Sequence, residues 1–129
     1  MEPGQVVVGI DNGATKNNAT VLDSSGRFLV DRMYEIPSRV AHGPGAAIEA
    51  MAAVMDLALR DLGIDRSRVV AVGLDTPGPA SADGVISVRG ATNFAQPAWW
   101  GFDASRKPSS VQGTSTRMAV SPLAAIVSQ

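Results

Sequence analysis

Apolar and polar positions follow two different periods along the 129-residue chain, one suited to strands and one to a helix. Gln5-Val6-Val7-Val8-Gly9-Ile10 is a short β-branched run stopped by Asp11-Asn12-Gly13, the pattern of a buried strand meeting a turn. Strand-like alternation resumes over Asn18 to Asp23, and Ser24-Ser25-Gly26 supplies turn chemistry before a third run, Arg27 to Ile36. In that run Phe28, Val30, Arg32, Tyr34 and Ile36 share one face and Leu29, Asp31, Met33 and Glu35 the other. This suits an outer strand of an antiparallel meander, ended by Pro37.

Ser38 to Gly43 reads as a loop, and the spacing then predicts a helix over Pro44 to Leu62. Ile48, Met51, Ala52, Met55, Leu59 and Leu62 form one apolar stripe that packs in a core, Pro44 lies in the first turn, and Gly63 stands where a left-handed C-terminal cap belongs. Val69 to Leu74 is again continuously apolar, as in a central strand covered on both faces. It is expected to lie parallel to the first strand, reached from the meander by a right-handed crossover through the helix. Asp75-Thr76-Pro77-Gly78-Pro79 ends it, Val85 to Val88 reads as a short strand, and Gly90 to Gly101 as a loop holding Trp99 and Trp100. Met118 to Val127 fits a strand or a helix equally well. The fold class is α/β: a three-stranded meander followed by a helix and a parallel strand.

Composition narrows the chemistry. The chain is 45% hydrophobic and 18% charged with a mean hydropathy of +0.10, which describes a globular protein. A net charge of -1 provides no global attraction to nucleic acid or to an anionic membrane. The absence of cysteine excludes disulfides, thiolate nucleophiles and cysteine-based metal centres, and a single histidine, His42, excludes a histidine-rich one. No run reaches the ~18 apolar residues of a membrane helix, and Met1-Glu2-Pro3-Gly4 lacks the basic region of a leader. A cytoplasmic protein is expected. Charge is unevenly distributed: the twelve acidic residues all lie between Glu2 and Asp103, against eight basic ones. The last 26 residues carry only Arg106, Lys107 and Arg117 as charged groups, together with eight Ser or Thr.

The sharpest chemical feature is Asp11-Asn12-Gly13-Ala14-Thr15-Lys16, set between two expected strands. Small residues let backbone N–H groups approach an anion, the Thr15 hydroxyl can donate to a phosphate oxygen, and Asp11 can orient a hydrated magnesium ion. An ordinary hairpin connection uses the same residue types. It is not a P-loop, because the Gly-x-x-x-x-Gly-Lys-Ser/Thr pattern is missing and a strand follows. Elsewhere, Asp75 suits turn capping, Asp103 a helix N-cap, His42 a solvated loop, and the tryptophan pair packing against the sheet or against a neighbouring lobe.

Taken in order, Asp-x-Gly-x-Thr-Lys, a meander, a helix, Ala71 to Pro79, Asn93 and Trp99-Trp100-Gly101-Phe102-Asp103 resemble the N-terminal lobe of the ROK family of sugar kinases, especially its glucokinase-like members. The resemblance runs from Val6 to about Asp103. It implies a ribonuclease-H-like lobe of the actin/hexokinase-type ATPases, and ATP-dependent phosphorylation of a hexose, glucose foremost. It also implies ATP and Mg2+ as cofactors and a homodimer in the intact family. By position, Asp11, Gly13, Ala14, Thr15 and Lys16 would bind the nucleotide, and Gly78, Pro79, Thr92 and Asn93 the sugar. Ala14 stands where members usually carry a second glycine, and a positive φ there would cost ~1–2 kcal/mol.

Beyond Asp103 the family continues into a helix, an Asn-Asp-x-Asn motif with the general base, and a second lobe. Ala104 onward matches none of this, so residues 1–103 are expected to form the lobe and 104–129 a tail foreign to that design, frameshifted or disordered. On this basis the chain is an incomplete, inactive lobe with no catalytic residue to assign. A sugar-sensing ROK-type regulator domain is the alternative, disfavoured because only five residues precede the first strand where a helix-turn-helix would stand; a nonfunctional fragment is the third. Translating the encoding DNA in the other two frames beyond the Asp103 codon is expected to restore an Asn-Asp-containing segment. If neither frame contains one, the tail is a genuine, divergent C-terminus.

Overall fold

The computed structural model describes residues 1–76 and 117–122. Strands β1 (Val6–Asn12), β2 (Lys16–Leu22) and β3 (Tyr34–Pro37) precede helix α1 (Pro44–Leu62), which is followed by β4 (Val69–Thr76) and β5 (Arg117–Pro122). They form one sheet in the order β3-β2-β1-β4-β5. The β1/β2 and β2/β3 pairs are antiparallel, and β1/β4 and β4/β5 are parallel. The expected meander, helix and parallel strand are all present. Of the segment from Met118 to Val127 that fits strand or helix equally well, the part up to Pro122 is strand, and residues 123–127 lie outside the described residues.

β1 sits inside the sheet because its residues tolerate burial on one side throughout. Val6, Val8, Ile10 and Asn12 are buried on the face toward α1, and the residues between them are more exposed. Val21 and Ala19 of β2, Val69, Val72 and Leu74 of β4, and Val40 complete the core with the helix. Each fully buried aliphatic side chain contributes ~1.5–3 kcal/mol of transfer free energy.

Both ends of α1 are set by chemistry legible in the sequence. Pro44 occupies the first helical turn, where a missing N–H costs nothing. Gly63 takes φ 67°, its N–H reaches the Arg60 carbonyl, and the Ile64 N–H reaches Leu59 at 2.9 Å. That pairing is a Schellman closure, with Ile64 packed against the core. The buried stripe is rotated from the expected one: Ala47, Ala50, Met51, Val54, Met55, Ala58 and Leu59 face the sheet, and Ile48, Ala52 and Leu62 are only half-buried. Three alanines on that face let the helix approach the sheet closely, which a line of larger side chains would not.

The third strand is shorter than its pattern predicts. Only Tyr34–Pro37 is strand, preceded by an isolated bridge between Leu22 and Phe28. The Asp23 carboxylate accepts from the backbone N–H of Ser25 (2.9 Å) and of Arg27 (3.0 Å), closing a local turn that competes with the ladder. Phe28 and Met33 are consequently exposed, and of the five residues expected to share a face only Tyr34 and Ile36 do so within a strand. The fourth strand is longer than expected and carries Asp75 within it rather than in a turn, because β1 offers a pairing partner as far as Asp11. The expected strand at Val85 to Val88, the aromatic loop from Gly90 to Gly101, and Asp103 lie outside the described residues. Among the described residues no helix is long and apolar enough to cross a membrane.

A surface clamp ties β3 to the end of α1. The buried Tyr34 donates its hydroxyl to Asp61, and Arg32 pairs with the same carboxylate while its guanidinium lies 5.3 Å from the Tyr34 ring centroid. The Tyr34 hydrogen bond, and then Arg32, hold the Asp61 carboxyl below its ordinary value of 3.8. A depressed folded-state value stabilises the fold above the unfolded carboxylate range, and the gain is lost as pH falls through the folded value. Asp61→Asn is expected to lower the melting temperature at pH 7, with the gap to wild type narrowing as pH drops below 3.8. Thermal unfolding across pH 2–7 checks this.

Candidate functional site

The motif singled out from sequence forms the hairpin turn between β1 and β2, at the C-terminal end of the parallel β1/β4 pair. Parallel strands end their C-termini on one edge, where α/β sheets place ligand sites. Asp11 is the exposed, outward-facing member of the last β1 pairs, and Ala14, Thr15 and Lys16 are exposed along the turn. The five expected nucleotide-binding residues, Asp11, Gly13, Ala14, Thr15 and Lys16, therefore meet on one tip.

The turn is tight because of Gly13. Its N–H donates to the Lys16 carbonyl at 2.9 Å, and a Cβ at this position would lie 2.7 Å from that same oxygen. Close approach, not a positive φ, is what demands glycine here, since Gly13 is not among the left-handed residues. Ala14 also avoids positive φ, so the strain foreseen for alanine in place of glycine does not arise. The Thr15 carbonyl accepts from the Ser38 N–H at 2.9 Å, extending the β2/β3 pairing one step past Lys16 and Pro37 and bracing the turn from the side.

Lys16 has a neighbour that its sequence context did not reveal. Its ammonium lies 2.9 Å from Glu35, with the two side chains 65% and 37% exposed. A pair this open is worth at most ~1 kcal/mol, so an arriving phosphate can compete for the lysine. Asp75 stands in register with Asp11 on the face away from α1, and is 3% exposed. Sequence reasoning also missed Asn12 and Asn17, which are register partners buried beneath the turn. The available signal was the alternation of Val6, Val8 and Ile10, which continues to position 12. His42 is exposed in a short 3-10 turn, as its loop context suggested. Gly78, Pro79, Thr92 and Asn93, together with Trp99 and Trp100, lie outside the described residues.

The arrangement suits an anion held by backbone and hydroxyl groups, with one carboxylate alongside. The exposed Thr15 hydroxyl and the small residues Gly13 and Ala14 are groups that fit a nucleotide phosphate, while the glycine at position 13 is demanded by the Lys16 carbonyl within the turn itself. For a magnesium ion, Asp11 is the exposed carboxylate at the turn, and among the described residues no group of three or more acidic or histidine side chains could hold a metal by itself. Such an ion would be shared with phosphate oxygens and water.

No family model matches the chain, and no curated protein does. Solved structures do. A ROK hexokinase from Thermus thermophilus is similar at 31% identity and a TM-score of 0.66, over 90% of this chain and 35% of that one. A ROK family glucokinase from Streptomyces griseus, solved with glucose and AMPPNP, is similar at 23% identity and a TM-score of 0.64, over 88% of this chain and 32% of that one. An inorganic polyphosphate/ATP-glucomannokinase from Arthrobacter sp. strain KM shares the fold at 21% identity and a TM-score of 0.56, over 90% and 43% of the two chains. The chain spans about a third of the length of the first two.

Gly13→Ala is expected to cost ~1–3 kcal/mol of stability, the usual penalty for overpacking, because the new methyl meets the Lys16 carbonyl. Ala14→Gly should change stability by less than ~1 kcal/mol. Urea denaturation of both variants measures the contrast. Strand order and the likeness to solved structures agree that this chain has the fold of an actin/hexokinase-type N-terminal lobe, and it is similar to that lobe of ROK sugar kinases.

Proposed function

We propose that the chain is the nucleotide-phosphate-binding lobe of a hexose kinase, with ATP as donor, Mg2+ as its companion ion and glucose as the foremost acceptor. The observation that carries this is the Gly13 turn. It exposes Asp11, Ala14, Thr15 and Lys16 at the end of the parallel pair, and the close approach of Gly13 to the Lys16 carbonyl keeps the turn tight. Backbone N–H groups of the turn and the Thr15 hydroxyl bind phosphate oxygens, and Asp11 orients the ion's water shell. Magnesium, when bound, neutralises charge on the phosphates. Lys16 exchanges Glu35 for phosphate. The sugar contacts fall to Gly78, Pro79, Thr92 and Asn93, within a lobe of residues 1–103 whose sheet Arg117–Pro122 of the following segment joins as β5.

Phosphoryl transfer requires donor, ion and acceptor to be positioned together, with a base at the acceptor hydroxyl. No residue of this chain is assigned that base. The lobe is therefore expected to bind nucleotide without turning it over, in the cytoplasm and with the intact protein as a homodimer.

Calorimetric titration of the full chain with ATP and Mg2+ is expected to show binding that weakens ~10- to 100-fold in Thr15→Ala, the loss of one hydrogen bond to a charged group. No heat of binding would support a nonfunctional fragment instead. Glucose phosphorylation at ordinary kinase rates in a coupled assay would overturn the assignment as an incomplete lobe.

A further inference from the structure

Beneath the phosphate turn lie five buried polar side-chain atoms without a protein partner: both amide atoms of Asn12, both of Asn17, and the Ser38 hydroxyl. The three residues are 1%, 0% and 0% exposed. Topology brings them together. Asn12 and Asn17 face each other across the β1/β2 ladder, and residues directly opposite in an antiparallel pair project to the same face. Asn12 continues the buried series of Val6, Val8 and Ile10, and Asn17 that of Ala19 and Val21. Ser38 lies two residues beyond Ile36, the register partner of Asn17, and leads through Arg39 into the 3-10 turn at Val40–His42 that precedes α1.

Buried amides and hydroxyls in native proteins are satisfied, and burying them unsatisfied is costly. The chemistry of this set selects its ligand. It combines two carbonyl acceptors, two NH2 donors and one hydroxyl, with no formal charge. A cation would be confronted by the amide donors and an anion by the carbonyls. A water molecule donates and accepts, and an internal water typically makes about three hydrogen bonds.

We propose that Asn12, Asn17 and Ser38 form an internal water-binding site that fastens the Gly13–Lys16 turn to the segment entering α1. Water there bridges β1, β2 and the end of β3 from below, so the turn is held at its base as well as by its own backbone. The site is independent of what the turn binds above.

The test uses the full chain labelled with 15N. Side-chain amide protons of Asn12 and Asn17 are expected to show long-lived nuclear Overhauser contacts at the water frequency. Asn17→Leu removes one set of partners and strands the rest, and is expected to lower the melting temperature by about 5 °C or more; the milder Ser38→Ala should lower it less. Melting temperatures in potassium, sodium and choline chloride of equal strength are expected to coincide. Three results would overturn the proposal: no water contacts in the wild-type spectrum, a higher melting temperature in Asn17→Leu as expected of a dry site, or stabilisation by one alkali cation alone.

Discussion

The parallel pairing of β1 with β4, from Val6 opposite Val69 to Asp11 opposite Asp75, is the constraint on which the rest of this fold depends. Two parallel neighbours cannot be joined by a tight turn, so the intervening chain must travel back the length of the sheet. The return is α1, which also covers the face that Val6, Val8, Ile10, Val72 and Leu74 would otherwise present to water. Once that layer is in place, β1 and β4 must end at the same edge. The turn after β1 therefore opens where a ligand can meet both strand ends.

How far this could be read from sequence depended on whether local chemistry or tertiary context decided each feature. The bounds of α1 were legible because Pro44 and Gly63 act through their own backbones. β1 and β4 were legible because continuous β-branched runs have few alternatives. The third strand was not, since the Asp23 carboxylate diverts the chain into a turn that an alternation of apolar residues does not register. Nor was the rotation of the helix face: alanine adds little to an apolar stripe, yet Ala47, Ala50 and Ala58 determine which side of α1 approaches the sheet.

The candidate site divides in the same way. Asp11 to Lys16 are contiguous, so any hairpin between the two strands brings them together, and the requirement for glycine at position 13 followed from motif and backbone alike. The burial of Asn12 only extends the alternation of Val6, Val8 and Ile10, whereas the partner of Lys16 and the burial of Asn17 and Asp75 depend on strand register, which a lone polar residue in a strand does not advertise. β5 illustrates the converse. Strand pairing is chiefly a property of the backbone, so Arg117–Pro122 can join the edge beside β4 without carrying any family motif.

The proposed grip of nucleotide phosphate by the turn at the C-terminal end of β1 is open to direct observation. The most direct measurement is a map of backbone amide shifts in the 15N-labelled chain as AMPPNP and Mg2+ are added. The largest changes are expected at Gly13, Ala14, Thr15 and Lys16, with smaller ones at Asp11 and Asp75. Saturable binding whose shifts leave that turn untouched and fall elsewhere on the sheet would contradict it.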